Sequence, residues 1–370
     1  MGHPELPSHI QPISDLDDAW LTSCSGERLI AVRAAGRKLR DKLIASGKVT
    51  GVRTFDIASF PYPTKFGLGG VARSPLPFVV MTNRVNIVQC DSSDGPKTLL
   101  FNPTDYERSA ETPYFARIRR KIGALGDLLM TRRPKTPDHL EKIGLRCEDV
   151  DYIAFDHMHT QDVREMLGTT APALGQQTPL RAIYPRAKLL IWRPELDIFR
   201  SLHPLQRTWY IPDAVRDVPD DRVIVCEGDV QLGKGIALIR TPGHTIGNWS
   251  LVMNTDSGVW AVSENGVACD AYSPNASRIG GLKKHLLVTE EEVILNSNSL
   301  EGRNDQYISM VLEKTLVDRC AQAPDFFQHF PSSELTATPL TPGLGPTYSH
   351  GEITSGQLRR PSAAKKNQAA

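Results

Sequence analysis

The sequence predicts an α+β protein in which short apolar strands end in histidine-bearing loops, and three observations carry that expectation. Asp151-Tyr-Ile-Ala-Phe-Asp-His157-Met-His159-Thr-Gln-Asp162 drives an apolar run into two histidines one residue apart and then a carboxylate. Gly235-Ile-Ala-Leu-Ile-Arg-Thr-Pro-Gly-His244-Thr-Ile-Gly-Asn-Trp-Ser is a second apolar run, ending in a tight turn that presents one histidine. Between and around them, four- to eight-residue runs bounded by turn residues alternate with helical patterns, as short strands and helices do.

Taken in order, Gly26 to Ser46 reads as a helix with an Arg/Lys-rich face, followed by a Pro- and Gly-rich connector from Phe60 to Gly70. From Pro77, Phe78-Val-Val-Met-Thr-Asn-Arg-Val-Asn-Ile-Val-Gln-Cys and Lys97-Thr-Leu-Leu-Phe-Asn-Pro-Thr-Asp flank the turn-rich Asp91-Ser-Ser-Asp-Gly-Pro and form a hairpin. The basic stretch from Tyr106 to Pro134 is expected to be partly helical, and Pro137-Asp-His-Leu-Glu-Lys forms a short helix leading into the first histidine strand. A strand over Ala182 to Trp192 and a helix over Pro194 to Arg200 precede the aromatic segment Leu202 to Pro212. Strands recur at Arg222 to Glu227, Gly235 to Thr241, Trp249 to Asn254 and Val259 to Glu264. Helices are expected over Glu290 to Asn298 and Asp305 to Ala321, then a final strand over Asp325 to Phe330 that carries His329. The Pro-, Gly-, Ser- and Lys-rich end, above all Arg359 to Ala370, has the composition of a disordered tail.

At 370 residues the chain suits one large domain with irregular ends. The expected division is an N-terminal extension over 1–76, a catalytic domain over 77–338 and a C-terminal extension over 339–370. Lys and Arg number 43 against 42 Asp and Glu, so no global field draws in nucleic acid or an acidic membrane. No window approaches the ~20 apolar residues needed to span a bilayer. The six cysteines follow no CxxC pattern and the sequence opens on no basic-then-apolar segment, which points to reduced thiols in a cytoplasm. A small-molecule substrate is the expected partner, and the N-terminal extension offers either a cover for a pocket or a homodimer contact.

Two imidazoles one residue apart on a loop can reach one metal ion, and His244 on a second strand-end loop completes a three-ligand set of the kind that leaves catalytic zinc an open position. Asp162, three residues beyond His159, is the expected ligand or proton carrier. A lone histidine is more often a surface or satisfied core residue, which is the reading for His9, His203 and His285. Cys269 reads as a buried apolar filler, and Trp209, Tyr210 and Phe199 as either core or pocket wall.

From Pro77 to Pro331 the chain resembles the metallo-β-lactamase superfamily. The resemblance lies in Leu99-Leu-Phe-Asn-Pro-Thr-Asp, in the helix and lead-in Leu140 to Asp151 with its His-x-His loop, in Tyr184-Pro-Arg-Ala-Lys, and in Thr241-Pro-Gly-His-Thr-Ile-Gly-Asn. The last two look most like the branch of quorum-quenching lactonases and related small-ester and phosphotriester hydrolases. The resemblance implies a four-layer αβ/βα sandwich of two mixed sheets, with metal at one edge. It implies a hydrolase in which a metal-activated water attacks a lactone, ester or related centre, with one or two zinc ions, iron or manganese being possible substitutes.

The family's first loop reads HxHxDH, whereas here Gln161 stands at the aspartate and Asp162 at the third histidine. The family's bridging aspartate maps onto Glu264, with Asp270 as competitor, and its late histidine onto His329, with His350 as alternative. On this reading His157, His159 and His244 hold the first ion, and Asp162, Glu264 and His329 hold a second ion or the water that replaces it. Gln161 is expected to fill space and hydrogen-bond a ligand histidine. A single-iron sulfur dioxygenase and a non-catalytic ligand-binding descendant are the alternatives.

Overall fold

The computed structural model describes residues 3–122, 130–173, 175–297 and 302–360. The tail expectation for Arg359 to Ala370 falls outside these residues except at Arg359 and Arg360, as does the end of the helix expected to reach Asn298.

Two mixed sheets lie face to face. One holds β1 (Gln11–Ile13), β9 (Asp229–Gly233), β10 (Ile236–Arg240), β11 (Trp249–Thr255), β12 (Gly258–Ser263) and β13 (His329–Pro331) in that spatial order, antiparallel until β13 adds in parallel to β12. The other runs β15 (Thr354–Gly356), β2 (Gly51–Pro63), β3 (Phe78–Ser92), β4 (Gly95–Phe101), β6 (Tyr152–Ala154), β7 (Lys188–Trp192) and β8 (Val223–Cys226). Two short strands, β5 (Thr131–Arg132) and β14 (Ser333–Leu335), pair with β2 and β3. The antiparallel hairpin β3–β4 is the one the sequence predicts. The pairs β4–β6, β6–β7 and β7–β8 are parallel.

The apolar strand sequences follow from being covered on both faces. In β10, Ile236 and Leu238 join the core between the sheets, with Val88, Leu99, Phe101 and Leu190 of the opposite sheet. The alternate residues Ala237 and Ile239 pack outward against Val32, Leu39 and Leu43 of the helix Ser25–Ser46 and Ile308, Leu312 and Leu316 of the helix Arg303–Leu316. The outer face of the second sheet, with Ile57, Met81, Ile87 and Leu100, is closed by Leu140, Met166, Leu167 and Tyr272. The order helix, sheet, sheet, helix is the expected four-layer αβ/βα sandwich.

Several elements differ from expectation. Residues 1–76 are not an appendage to the sandwich, because β1 pairs with β9 and β2 runs for thirteen residues along β3. The segment Phe60 to Pro63, expected as connector, is strand despite Pro61 and Pro63. Beyond Ser59, no strand among the described residues pairs with the other side of β2, so a proline there forfeits no ladder bond on that edge. At the other end, β15 pairs with β2 at Arg53, which ties part of 339–370 into the sheet.

Ala182 to Ala187 is not strand; β7 begins at Lys188, because Ile183 and Tyr184 donate their N–H groups to Glu165 and Met166 and fold the chain back. The described part of Glu290 to Asn298 is not helical. The helix lies earlier, Leu282–Thr289, and ends at Glu290, whose φ of 59° is left-handed. The last helix stops at Leu316 rather than Ala321, since Val317 is extended. No helix among the described residues is long and apolar enough to cross a membrane. All six cysteines are unpaired.

Candidate metal centre

The end of β6 and the end of β10 lie at the same edge of the sandwich, and each hands its loop a histidine. Trp249, which opens β11, donates its backbone N–H to Asp156 O at 2.7 Å and fixes the two loops to each other. His157, His159 and His244 thereby meet with one ligand-capable atom from each within 4.8 Å of the others, all three side chains buried. Their rings are 4.6 to 5.2 Å apart between centroids. Thr160, which closes the His-x-His turn, holds a φ of 62°, an uncommon conformation for a β-branched residue and one maintained by its N–H bond to Trp209 O.

Each ring is oriented through its other nitrogen. Asp156 Oδ1 accepts from His157 Nδ1 at 2.7 Å and from the His157 backbone N–H at 2.8 Å, leaving Nε2 to face its neighbours. Asp156 is itself held by Asn102 Nδ2 at 3.1 Å and by the Ser332 hydroxyl. His159 Nε2 bonds Gln206 Oε1 at 2.7 Å, so its Nδ1 is the free side, and this buried atom has no hydrogen-bond partner among the described residues. His244 Nδ1 faces the carbonyl of Asn296 at 3.4 Å.

Burial and the neighbouring imidazoles hold His159 well below the ordinary histidine range and push His244 down to about 3. For His157, burial acts downward too, but the Asp156 carboxylate outweighs it and pushes this group up to about 9. Two neutral imidazoles beside one that a carboxylate polarises form a donor set suited to a borderline divalent cation. A buried nitrogen left without a partner at their meeting point fits such an ion as well.

The fold is a four-layer αβ/βα sandwich. Its two mixed sheets, the outer helices and the histidine loops meeting at one sheet edge are those the sequence resemblance implies. No family model matches the sequence, and no curated protein does. Solved structures similar to this chain include an N-acyl homoserine lactone hydrolase with N-hexanoyl-L-homoserine at its metal centre, at 14% identity and TM-score 0.44, covering 66% of this chain and 91% of that one. AidC, a dizinc quorum-quenching lactonase, is similar at 12% identity and TM-score 0.44, with 84% of this chain and 98% of that one covered. A probable metal-dependent hydrolase from Staphylococcus aureus is similar at 11% identity and TM-score 0.47, with 70% of this chain and 83% of that one covered.

The remaining residues singled out in the sequence are dispersed. Asp162 is buried but closed by Arg164, whose Nε and Nη2 lie 3.0 and 2.6 Å from its two oxygens, and it belongs to neither of the described groups able to hold an ion. Glu264 does reach the site, forming a second group with Asp156 and His157. Asp270, in the short helix Cys269–Tyr272, is occupied by Ser277 of the following loop and by Thr347 from the C-terminal segment. His329 is fully buried elsewhere, stacked at 3.8 Å on Tyr272, with Nε2 3.1 Å from the Ser263 hydroxyl and 3.9 Å from Glu313. His350 bonds the Phe327 carbonyl. Gln161 is turned toward Thr104, its Nε2 donating to Oγ1 at 3.0 Å, and among the described residues it makes no hydrogen bond to a histidine, contrary to expectation.

Two residues that sequence reading passed over hold the site together. Glu195 Oε1 accepts from the Met158 N–H at 2.7 Å and the Tyr210 hydroxyl at 2.8 Å, while Oε2 accepts from Thr245 at 2.8 Å. One carboxylate thus joins both histidine loops, and Tyr210 presents its ring to His159 at 4.7 Å. Gln206, in the aromatic segment, orients His159.

His157 and His159 line a cavity of about 440 Å³, and His244 lies behind them. Phe60, Tyr62, Phe115, Ile118 and Trp209 line its apolar part, and Asn83, Gln161, Glu264 and Ser333 its polar floor. Residues near the end of β2 therefore contribute wall. Of the three aromatic candidates, Trp209 faces the cavity, Tyr210 supports His159 and Phe199 packs on Tyr210. Cys269 is buried with its thiol toward the His329 carbonyl, and burial pushes that thiol up, as a filler requires.

Proposed function

We propose that this protein is a metal-dependent hydrolase of a small, largely apolar ester or lactone, with one divalent ion held by His157, His159 and His244. The observation that carries the reading is the meeting of three buried imidazoles, each steered through its second nitrogen, two of which line a largely apolar cavity. Zinc in such a site supplies a Lewis acid for a carbonyl oxygen and lowers the pKa of a bound water toward ~7.

The chain's own residues supply the rest. Phe60, Phe115 and Trp209 exclude water from the substrate body and position it. Glu264, which burial pushes up to about 7, is the carboxyl group beside His157 placed to take or return a proton near neutral pH. Asp162, expected in that role from its place after the histidines, is occupied by Arg164 and is assigned to holding the loop.

Three histidines also suit a single iron, so the sulfur-dioxygenase reading is retained as the second; iron in the purified protein with oxygen uptake on a persulfide would select it. The test is elemental analysis of wild type, His159→Ala and Asp162→Ala, with hydrolysis of phenyl acetate and γ-lactones. About one zinc per chain, lost in His159→Ala and kept in Asp162→Ala, with zinc-dependent hydrolysis, is expected. Metal-replete wild type without metal would overturn the assignment.

A further inference from the structure

The floor of the cavity beside His157 and His159 holds a carboxylate, Glu264, among groups ill-suited to a second cation. Both oxygens of Asp162 are taken by Arg164, and His329, His350 and Asp270 are engaged elsewhere in the fold. Glu264 accepts from Ser333, and in place of the other expected ligands stand a neutral carboxamide, Gln161, and a hydroxyl, Ser333. Neither competes with carboxylate or imidazole for a divalent ion.

These groups are nevertheless ordered. Asn83 Nδ2 donates to Ser333 Oγ at 2.5 Å, and Ser333 donates its proton to Glu264 Oε2 at 2.9 Å. Gln161 is 7% exposed, and Thr104 fixes its amide nitrogen. Its Oε1, buried in the cavity lining, has no hydrogen-bond partner among the described residues. A buried acceptor left open is costly to the fold, and a bound donor recovers that cost.

We propose that this floor is a substrate subsite in which Gln161 Oε1 accepts a hydrogen bond from an N–H or O–H group next to the cleaved bond, in place of a second metal ion. The proposal rests on the three-histidine reading above. It narrows the substrate class to compounds with an apolar body for the Phe60, Phe115 and Trp209 wall and a hydrogen-bond donor close to the ester or lactone carbonyl. Gln161 is then a specificity-determining residue.

Two measurements test it. Calorimetric titration of metal-free protein with Zn²⁺ should give one equivalent in wild type and none in His159→Ala. Two equivalents in wild type would overturn the subsite while leaving a metal centre standing; no binding at all would remove both. The zinc-loaded protein is then titrated with phenylacetylglycine and with 4-oxo-5-phenylpentanoate, which differ only in N–H against CH₂. Wild type should prefer the N–H compound by up to ~10-fold, the range of one hydrogen bond. Gln161→Met should abolish the preference and Gln161→Glu, which keeps an acceptor, should retain it, with zinc stoichiometry and thermal melting as checks on folding. An equal preference in wild type and Gln161→Met would overturn the proposal, and if Gln161→Met does not fold, loss of preference in Gln161→Glu would do so.

Discussion

Asp156 Oδ1 receives both the backbone N–H and the ring Nδ1 of His157, the residue next to it in sequence. One oxygen thus sets the rotamer and the tautomer of the first histidine, while Oδ2 is anchored through Asn102 and Ser332 to the ends of β4 and β13. The first ligand is held by three strand ends at once. Removing that support should cost metal affinity more than fold. Asp156→Asn is expected to weaken zinc binding by ~10- to 100-fold, the usual effect of losing a carboxylate behind a ligand histidine. Competition with a chromophoric chelator measures this, and an unchanged affinity would remove Asp156 from the site.

The same contact gives metal binding a pH dependence. Asp156 holds His157 up to about 9 against the downward pull of burial, so in the metal-free protein this ring is protonated at neutral pH. Its pKa is raised above the unfolded value of ~6.5. The proton therefore stabilises the metal-free fold fully below ~6.5, and the contribution is lost as pH rises through about 9. A cation must displace that proton. Apparent zinc affinity should rise by ~tenfold per pH unit from neutral and flatten near pH 9, with about one proton released per ion. Titrations in buffers of different ionisation enthalpy count the protons, and a flat profile between pH 7 and 9 would contradict the assignment.

Asp162 and His329 separate ligation from support. Asp162→Ala leaves the Arg164 guanidinium without its partner and should lower stability by ~1–3 kcal/mol, as loss of a partly buried charged hydrogen-bond pair does. His329→Ala opens space beside Tyr272 and Glu313 and should also destabilise. Both variants are expected to keep their zinc. Urea denaturation beside elemental analysis checks this, and loss of zinc in either would restore that residue to the centre.

What the sequence made legible were the features carried by contiguous residues. The apolar runs at Tyr152–Ala154 and Ile236–Arg240 and the histidines just beyond them are local patterns, and the strands lie where the patterns do. Position along the chain misled where a near neighbour claimed the side chain: Asp162 is one residue from Gln161, yet Arg164 two residues on captures it. His329 lies in the strand bordering the site, but its ring turns to Tyr272 and Glu313, and Ser333, four residues later, reaches the cavity. Glu195 and Gln206 reach partners on the histidine loops that are 37 to 50 residues distant, so only folding reveals their role. The prolines of β2 concealed a strand because nothing in the sequence says which edge is unpaired.

Glu195 gives the sharpest test of how the two histidine loops are held. Its carboxylate is buried and burial pushes it up, yet three donors from Met158, Thr245 and Tyr210 converge on it. Glu195→Ala would leave those donors without an acceptor at ~1–3 kcal/mol each. The loops also meet through close packing: a Cβ at Gly247 would lie 2.3 Å from Glu195 Cβ, so only glycine fits in the His244 turn. Gly243, before His244, is likewise confined, since a Cβ there would lie 2.1 Å from Gln306 N. Gly247→Ala should therefore weaken zinc binding with every ligand histidine intact. Glu195→Gln, which keeps one acceptor oxygen, should fall between wild type and Glu195→Ala in thermal stability and zinc affinity. If Glu195→Ala matched wild type in both, the two loops would be set by their strands alone and Glu195 would be a passenger.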